Sequence, residues 1–177
     1  MTKPHRTAII IAVALAACTP PPRQLPSGGQ SSNVSQRITA PGVPVLEGMP
    51  HAVRVGLTVH VAGMVPVDSA GRLVAAGDVR GQARQVMTNL VAVMRAARGV
   101  PGDVTRVTIY LRDLSPTTVS AVRAEVVAAL GEGTPPAMTF VGVTALPEPQ
   151  MLVMIEATAN LRSELPDRTR MGPGVSR

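Results

Sequence analysis

Between residues 46 and 161, apolar side chains recur with the two periods that regular structure imposes. Two short β-rich runs, over 52–55 and 58–62, flank Gly56 and predict a hairpin. After Asp78, a candidate N-cap, Val79, Ala83, Val86, Leu90, Val93 and Ala97 follow at spacings of four and three, which predicts one face of an α-helix. Gly99 lies just past its end, where a left-handed C′ residue is wanted. Val107, Ile109 and Leu111 alternate with Arg106, Thr108, Tyr110 and Arg112, the period of a strand. Ser115 then offers a second N-cap, with Pro116 at the first helical position. Val119, Val122, Val126 and Ala129 give that helix its apolar face, and Gly131 ends it. Strands over 137–144 and 151–159 complete the order β-β-α-β-α-β-β, an α/β (α+β) domain.

Two helices cover only one face of such a sheet. The last strand carries apolar residues on both faces, with Leu152 and Met154 on one and Val153, Ile155 and Ala157 on the other. The uncovered face needs something apolar against it, and a second copy of the chain supplies it, so a closed homo-oligomer is expected. The 46–161 segment is one domain by length, large enough for a real core. Residues 18–45 hold Pro20-Pro21-Pro22, Ser27-Gly28-Gly29 and few large apolar side chains, and read as a flexible tether. Such a tether reaches roughly 25–30 Å. Residues 162–177 mix charges with Pro166, Pro173 and two glycines, and read as a disordered tail.

The N-terminus adds an address. Lys3 and Arg6 precede an apolar run over 8–17, which reads as a secretory signal over 1–17. The run is about half the length that spans a bilayer. Cys18, the single cysteine, closes Leu15-Ala16-Ala17-Cys18. This sequence resembles the lipobox of bacterial lipoproteins, in which the cysteine is lipidated and becomes the first residue of the mature chain. The expectation is an exported protein anchored in a membrane through a lipidated Cys18, on the periplasmic or cell-surface side. The other reading is an ordinary secretory signal with an incidental thiol.

The net charge of +6 changes the picture less than its size suggests. Within 46–161, nine arginines face nine acids, so the domain is formally neutral and the excess lies at the termini. Tyr110 and Phe140 are the only aromatics, so base stacking is poorly supplied. Nucleic-acid binding is therefore rejected despite the basic balance. The basic ends favour an anionic lipid surface weakly. The chain has no P-loop, no zinc-ligand spacing and no Gly-x-Ser-x-Gly, so no cofactor is expected.

A family resemblance runs through almost all of 46–161. Ala52-Val53-Arg54-Val55-Gly56, Val61-Ala62-Gly63, Val65-Pro66-Val67-Asp68, Gly71-Arg72-Leu73-Val74 and Gly77-Asp78-Val79 follow in order. Gln82, Gln85, Asn89 and Leu90 form a Gln-x-x-Gln-x-x-x-Asn-Leu pattern, and Pro136-Ala137, Leu146-Pro147 and Glu156-Ala157 close the series. On these motifs the chain resembles RidA/YjgF proteins. The resemblance implies a chorismate-mutase-like homotrimer with small-molecule clefts between subunits. It also implies hydrolysis of reactive enamines and imines, such as 2-iminobutanoate, to 2-keto acids and ammonia.

The chemistry implied by the family needs an arginine to clamp the substrate carboxylate and an acid/base group to move protons onto ordered water. In the family that arginine follows Pro-Ala; here Met138 does. The family glutamate two residues before Glu-Ala is Met154, and a tyrosine near the start of the domain aligns at Met49. The serine and glutamine flanking the glycine of the second strand become Ala62 and Met64, and a second-helix asparagine becomes Ser120. A thioether neither clamps a carboxylate nor shuttles a proton. Losing clamp and acid/base together removes several powers of ten in rate. The expected ligand cleft is therefore Met49, Ala62, Met64, Ser120, Met138, Thr139 and Met154, with the family activity weak or lost.

Three readings of the methionines stay open: filler in an aromatic-poor core, an adaptable pocket for an apolar ligand, or a soft-metal site for Cu(I) with His51 or His60. The first is favoured, and no resident metal is expected. Glu156 and Thr139 are the candidates for any catalysis that remains, as in a hydrolase of altered substrate. A structural or partner-binding scaffold with vestigial clefts is the third functional alternative.

Overall fold

The computed structural model describes residues 34–45, 48–131 and 133–162. Its strands are β1 (Ser35–Ile38), β2 (Ala52–Val55), β3 (Thr58–Met64), β4 (Val104–Leu111), β5 (Ala137–Gly142) and β6 (Val153–Asn160). Helix α1 (Val79–Ala96) connects β3 to β4 by way of a 3-10 turn at Pro101–Asp103, and α2 (Pro116–Leu130) connects β4 to β5. All six strands form one sheet in the order β1-β2-β3-β6-β4-β5. β4 and β5 run parallel, joined by the α2 crossover; every other pairing is antiparallel.

Strand alternation sorts the two faces. Val59 and Val61 of β3, Val107, Ile109 and Leu111 of β4, and Val153, Ile155, Ala157 and Ala159 of β6 join one buried cluster. The helices close that cluster with Ala83, Val86, Met87, Leu90, Val93 and Met94 from α1, and Val122 and Val126 from α2. The expected apolar stripes of both helices are thus the buried ones. Met87 and Met94 are among the largest fully buried side chains, the gap-filling use of methionine in a core short of aromatics.

Both helices are capped as expected at their starts. The Asp78 side chain accepts from the Arg80 N–H, and Ser115 accepts from the Thr118 N–H with Pro116 following it. The end of α1 differs from expectation. Arg98, at φ 63°, is the left-handed residue, while the Gly99 N–H closes the turn onto the Met94 carbonyl and the Arg98 N–H onto Arg95. Glycine is needed at 99 for space instead: a Cβ there would stand 2.7 Å from both Leu161 Cδ2 and Met94 Cε.

The tether also differs. Strand β1 lies inside the 18–45 stretch and pairs with β2 from Ser35↔Val55 to Ile38↔Ala52, burying Ile38 and Ala40. Three of its four residues are exposed, so no apolar period announces it; the open backbone edge of β2 recruits it. The signal segment, Cys18 and the tail beyond Arg162 lie outside the described residues. No helix among the described residues is long and apolar enough to cross a membrane.

Candidate functional site

The polar residues of α1 are occupied with backbone, and that shapes the site. Gln82 donates to the carbonyls of Ala75 and Gln150 and accepts from the Leu152 N–H, all while fully buried. Asn89 donates to the carbonyls of Val65 and Val67, and Gln85 donates to Val67 and to the Asn89 amide oxygen. The Gln-x-x-Gln-x-x-x-Asn pattern therefore works as a set of staples that hold the strand-less segment after β3 against the helix. Asp68 tightens the same segment. Its carboxylate accepts from the backbone N–H groups of Ala70 and Arg72 and from the Arg72 guanidinium, and these bonds, the Arg72 N–H first, hold it below the usual carboxylate range.

A second staple stands opposite. His51 is 4% exposed, its Nδ1 accepts from the Ala40 N–H at 3.0 Å, and its Nε2 donates to the Pro44 carbonyl at 2.9 Å. The Ala40 donor fixes the tautomer, since only an unprotonated Nδ1 accepts. Both ring nitrogens are thereby used, which removes His51 from the soft-metal reading. His60 is exposed on the open sheet face, and no cluster of three potential metal ligands of the His, Cys, Asp or Glu type occurs among the described residues.

Between these two stapled segments, where β3 ends beside β6 and β4, lies a cavity of about 290 Å³. Met49, Ala62, Gly63, Met64, Met154 and Glu156 line it, with Tyr110, Asn89 and His51 in its wall. Four of the seven expected cleft residues, Met49, Ala62, Met64 and Met154, are thus brought together. Met49 stands at the rim, 55% exposed, whereas Met64 is buried. Met154 lies flat over the backbone at Gly63: a Cβ there would meet the Met154 sulfur at 2.7 Å. Its neighbour on the same strand face is Glu156, both half-buried, because β6 alternates these with core residues.

The other three expected residues lie elsewhere in the chain. Met138 pairs with Val107 on the edge strand β5 and packs with Phe140 against the hydrophobic core, as the parity of β4 requires. Thr139 is exposed on the opposite, open face, paired with Thr108. Ser120 is exposed on α2.

Tyr110 is the site residue that reading the sequence missed. It pairs with Met154 across β4 and β6, and so faces the cavity. The signal was present in its alternation with Ile109 and Leu111, but Arg106, Thr108 and Arg112 share that parity and made the face look solvated. Burial pushes the Tyr110 phenol above its ordinary range, and the nearby Glu156 carboxylate pushes it further, against the opposing charge of Arg106. The phenol is therefore a neutral hydrogen-bond donor at physiological pH.

The arrangement defines a class: a sheet with two helices on one face, and a small-molecule-sized apolar cavity where the open face meets the stapled segments. The chain belongs to the endoribonuclease L-PSP family, which includes the RidA/YjgF proteins; the family model matches residues 44–161. A RutC family protein of Pyrococcus horikoshii is 36% identical over 109 residues, 61% of this chain and 82% of its own length. The 2-iminobutanoate/2-iminopropanoate deaminase of Salmonella typhimurium is 34% identical over 107 residues, 60% of this chain and 82% of its own. Among solved structures, RidA from an Antarctic Psychrobacter superposes with a TM-score of 0.63 at 31% identity, covering 71% of this chain and 99% of that one. The YjgF gene product of Escherichia coli gives 0.65 at 31% identity, covering 72% of this chain and 99% of its own. The fold is the chorismate-mutase-like α/β arrangement of that family.

Proposed function

We propose that this protein binds a small, largely apolar molecule in its methionine-lined cavity and hydrolyses imines weakly or not at all. One observation carries the reading. The cavity is walled by Met49, Ala62, Met64 and Met154 at the positions where the family resemblance puts a tyrosine, a serine, a glutamine and a glutamate. The methionine wall supplies adaptable contact and no proton donor.

The cavity is half of a cleft on this reading. The chain assembles as a homotrimer through the open sheet face, and the edge strand β5 of a second copy closes the cavity, bringing Met138 where the family has its clamp arginine. The assembly is exported and held to the membrane by a lipidated Cys18. Export sits apart from the task of clearing reactive imines made by cytosolic enzymes, which supports a changed role.

A hydrolase of altered substrate is the second reading, favoured by the presence of Glu156 in the cavity wall. Thr139, its other candidate, is on β5 and would have to come from a neighbouring copy. The deciding measurement is ammonia release from enzymatically generated 2-iminobutanoate by the full chain, by its Met138→Arg variant and by a RidA deaminase. The expected result is no release above the uncatalysed rate from the wild type. Release comparable to the RidA control would sink the binding reading and make this an exported deaminase.

A further inference from the structure

Resting on the small-molecule reading above, the polar groups of the cavity narrow the class of ligand. Four polar side chains stand in its wall: His51, Asn89, Tyr110 and Glu156. Two are already occupied. His51 has both nitrogens on backbone partners, and Asn89 uses its amide N–H groups on the Val65 and Val67 carbonyls and its oxygen on Gln85. Among the described residues, Tyr110 and Glu156 are the polar side chains left to meet a ligand.

Among the described residues, Glu156 is the one Asp, Glu, Lys or Arg side chain in that wall. It takes part in none of the ion pairs found among the described residues. Arg106 and His60 lie along a separate polar depression of the open sheet face that shares only Glu156 with the apolar cavity. Across β4 its cross-strand neighbour is Thr108, which brings no charge. A second copy docking β5 at this cavity would bring Met138, again without charge. The cavity thus has a negative pole and apolar walls.

We infer that the cavity selects ligands with a cationic amine on an apolar body and rejects carboxylates, the reverse of the charge preference of an imino-acid site. The ammonium would donate to the Glu156 carboxylate while its alkyl chain lies against the thioethers of Met154, Met64 and Met49. A carboxylate in the same place would face Glu156, with no Arg or Lys lining the cavity among the described residues and Arg106 confined to the neighbouring depression.

Three probes of one chain length separate charge from apolar fit: hexylammonium, 1-hexanol and hexanoate. Each is titrated calorimetrically into the full chain at neutral pH, and into Glu156→Gln. The expected order is hexylammonium tighter than hexanol by about tenfold or more, hexanoate weakest, and a collapse of the first two to equal affinity in Glu156→Gln. Should Glu156→Gln not fold, the wild-type order still decides. Hexanol binding as tightly as hexylammonium, or hexanoate binding best, would overturn the inference while leaving a small-molecule cavity in place. An ammonium preference that survives Glu156→Gln would overturn the assignment to this carboxylate. Binding of none of the three would overturn both this inference and the binding reading beneath it.

Discussion

Tyr110 is the one tyrosine in a chain without tryptophan, so its ionisation can be followed directly by ultraviolet absorbance. Its raised pKa has a definite consequence for stability. The folded protein holds the phenol proton more tightly than the unfolded chain, so the contribution to stability is complete below the ordinary tyrosine pKa near 10 and is lost as pH rises through the higher folded value. A titration of the folded chain should show a midpoint above 10, and Glu156→Gln should move it down, because the Glu156 carboxylate acts in that direction. A midpoint at or below 10 in the wild type would remove the influence of Glu156 on this half-buried phenol. His51 makes a second test at this scale. His51→Ala deprives the Ala40 N–H of its acceptor and opens a gap at a buried position, so chemical denaturation should show a loss of about 2–3 kcal/mol. A loss below half a kcal/mol would make the double staple incidental. Neither residue's task was legible in the sequence. The partners of His51 lie 11 and 7 residues before it, in the stretch read as tether, and the facing of Tyr110 depends on which strands flank β4.

At the scale of elements, legibility followed the strength of the local pattern. Helix α1 declared itself through a six-residue apolar stripe and an Asp N-cap, and its start in the structure matches; Asp78→Ala should destabilise the fold by about 1 kcal/mol in the same denaturation experiment. Strand β1 did not declare itself, because it is an edge element defined by the backbone of β2 rather than by its own side chains. The inserted position of β6 between β3 and β4 was equally hidden, since no local pattern encodes strand order. That insertion is what stacks Met154 over Gly63 and places Glu156 beside Tyr110. It yields a further prediction. Gly63→Ala puts a methyl group where the Met154 thioether now lies, and that flexible side chain must move off the strand surface into the cavity. Stability should change by less than about 1 kcal/mol, because a thioether has other rotamers, while the affinity for hexanol falls several-fold. Unchanged affinity would show that Met154 does not bound the ligand space.

At the scale of the whole molecule, the described residues leave one face of the sheet to be explained. The helices cover the other, and along the open face the strands present Val53 and Val55 from β2, His60 and Ala62 from β3, Met154 and Glu156 from β6, Tyr110 from β4 and Val141 from β5. Apolar and charged positions are interleaved there, which suits a subunit interface better than a second hydrophobic layer within the chain. The sequence foretold an uncovered face from a count of helices against strand faces, and the chain's family membership makes a trimer the assembly to test. A chain beginning at Val34, which retains β1, should sediment as three copies. Val141→Asp places a carboxylate on the open face of the edge strand beside Tyr110, its partner on β4. It should shift the protein toward monomer without touching the buried cluster. If β5 of a neighbouring copy closes the cavity, the same variant should weaken hexylammonium binding even though residue 141 does not line the cavity of its own chain. A wild type that sediments as a monomer and binds the probe equally well would confine the site to a single chain, and the substitution at Met138 would then have no bearing on it.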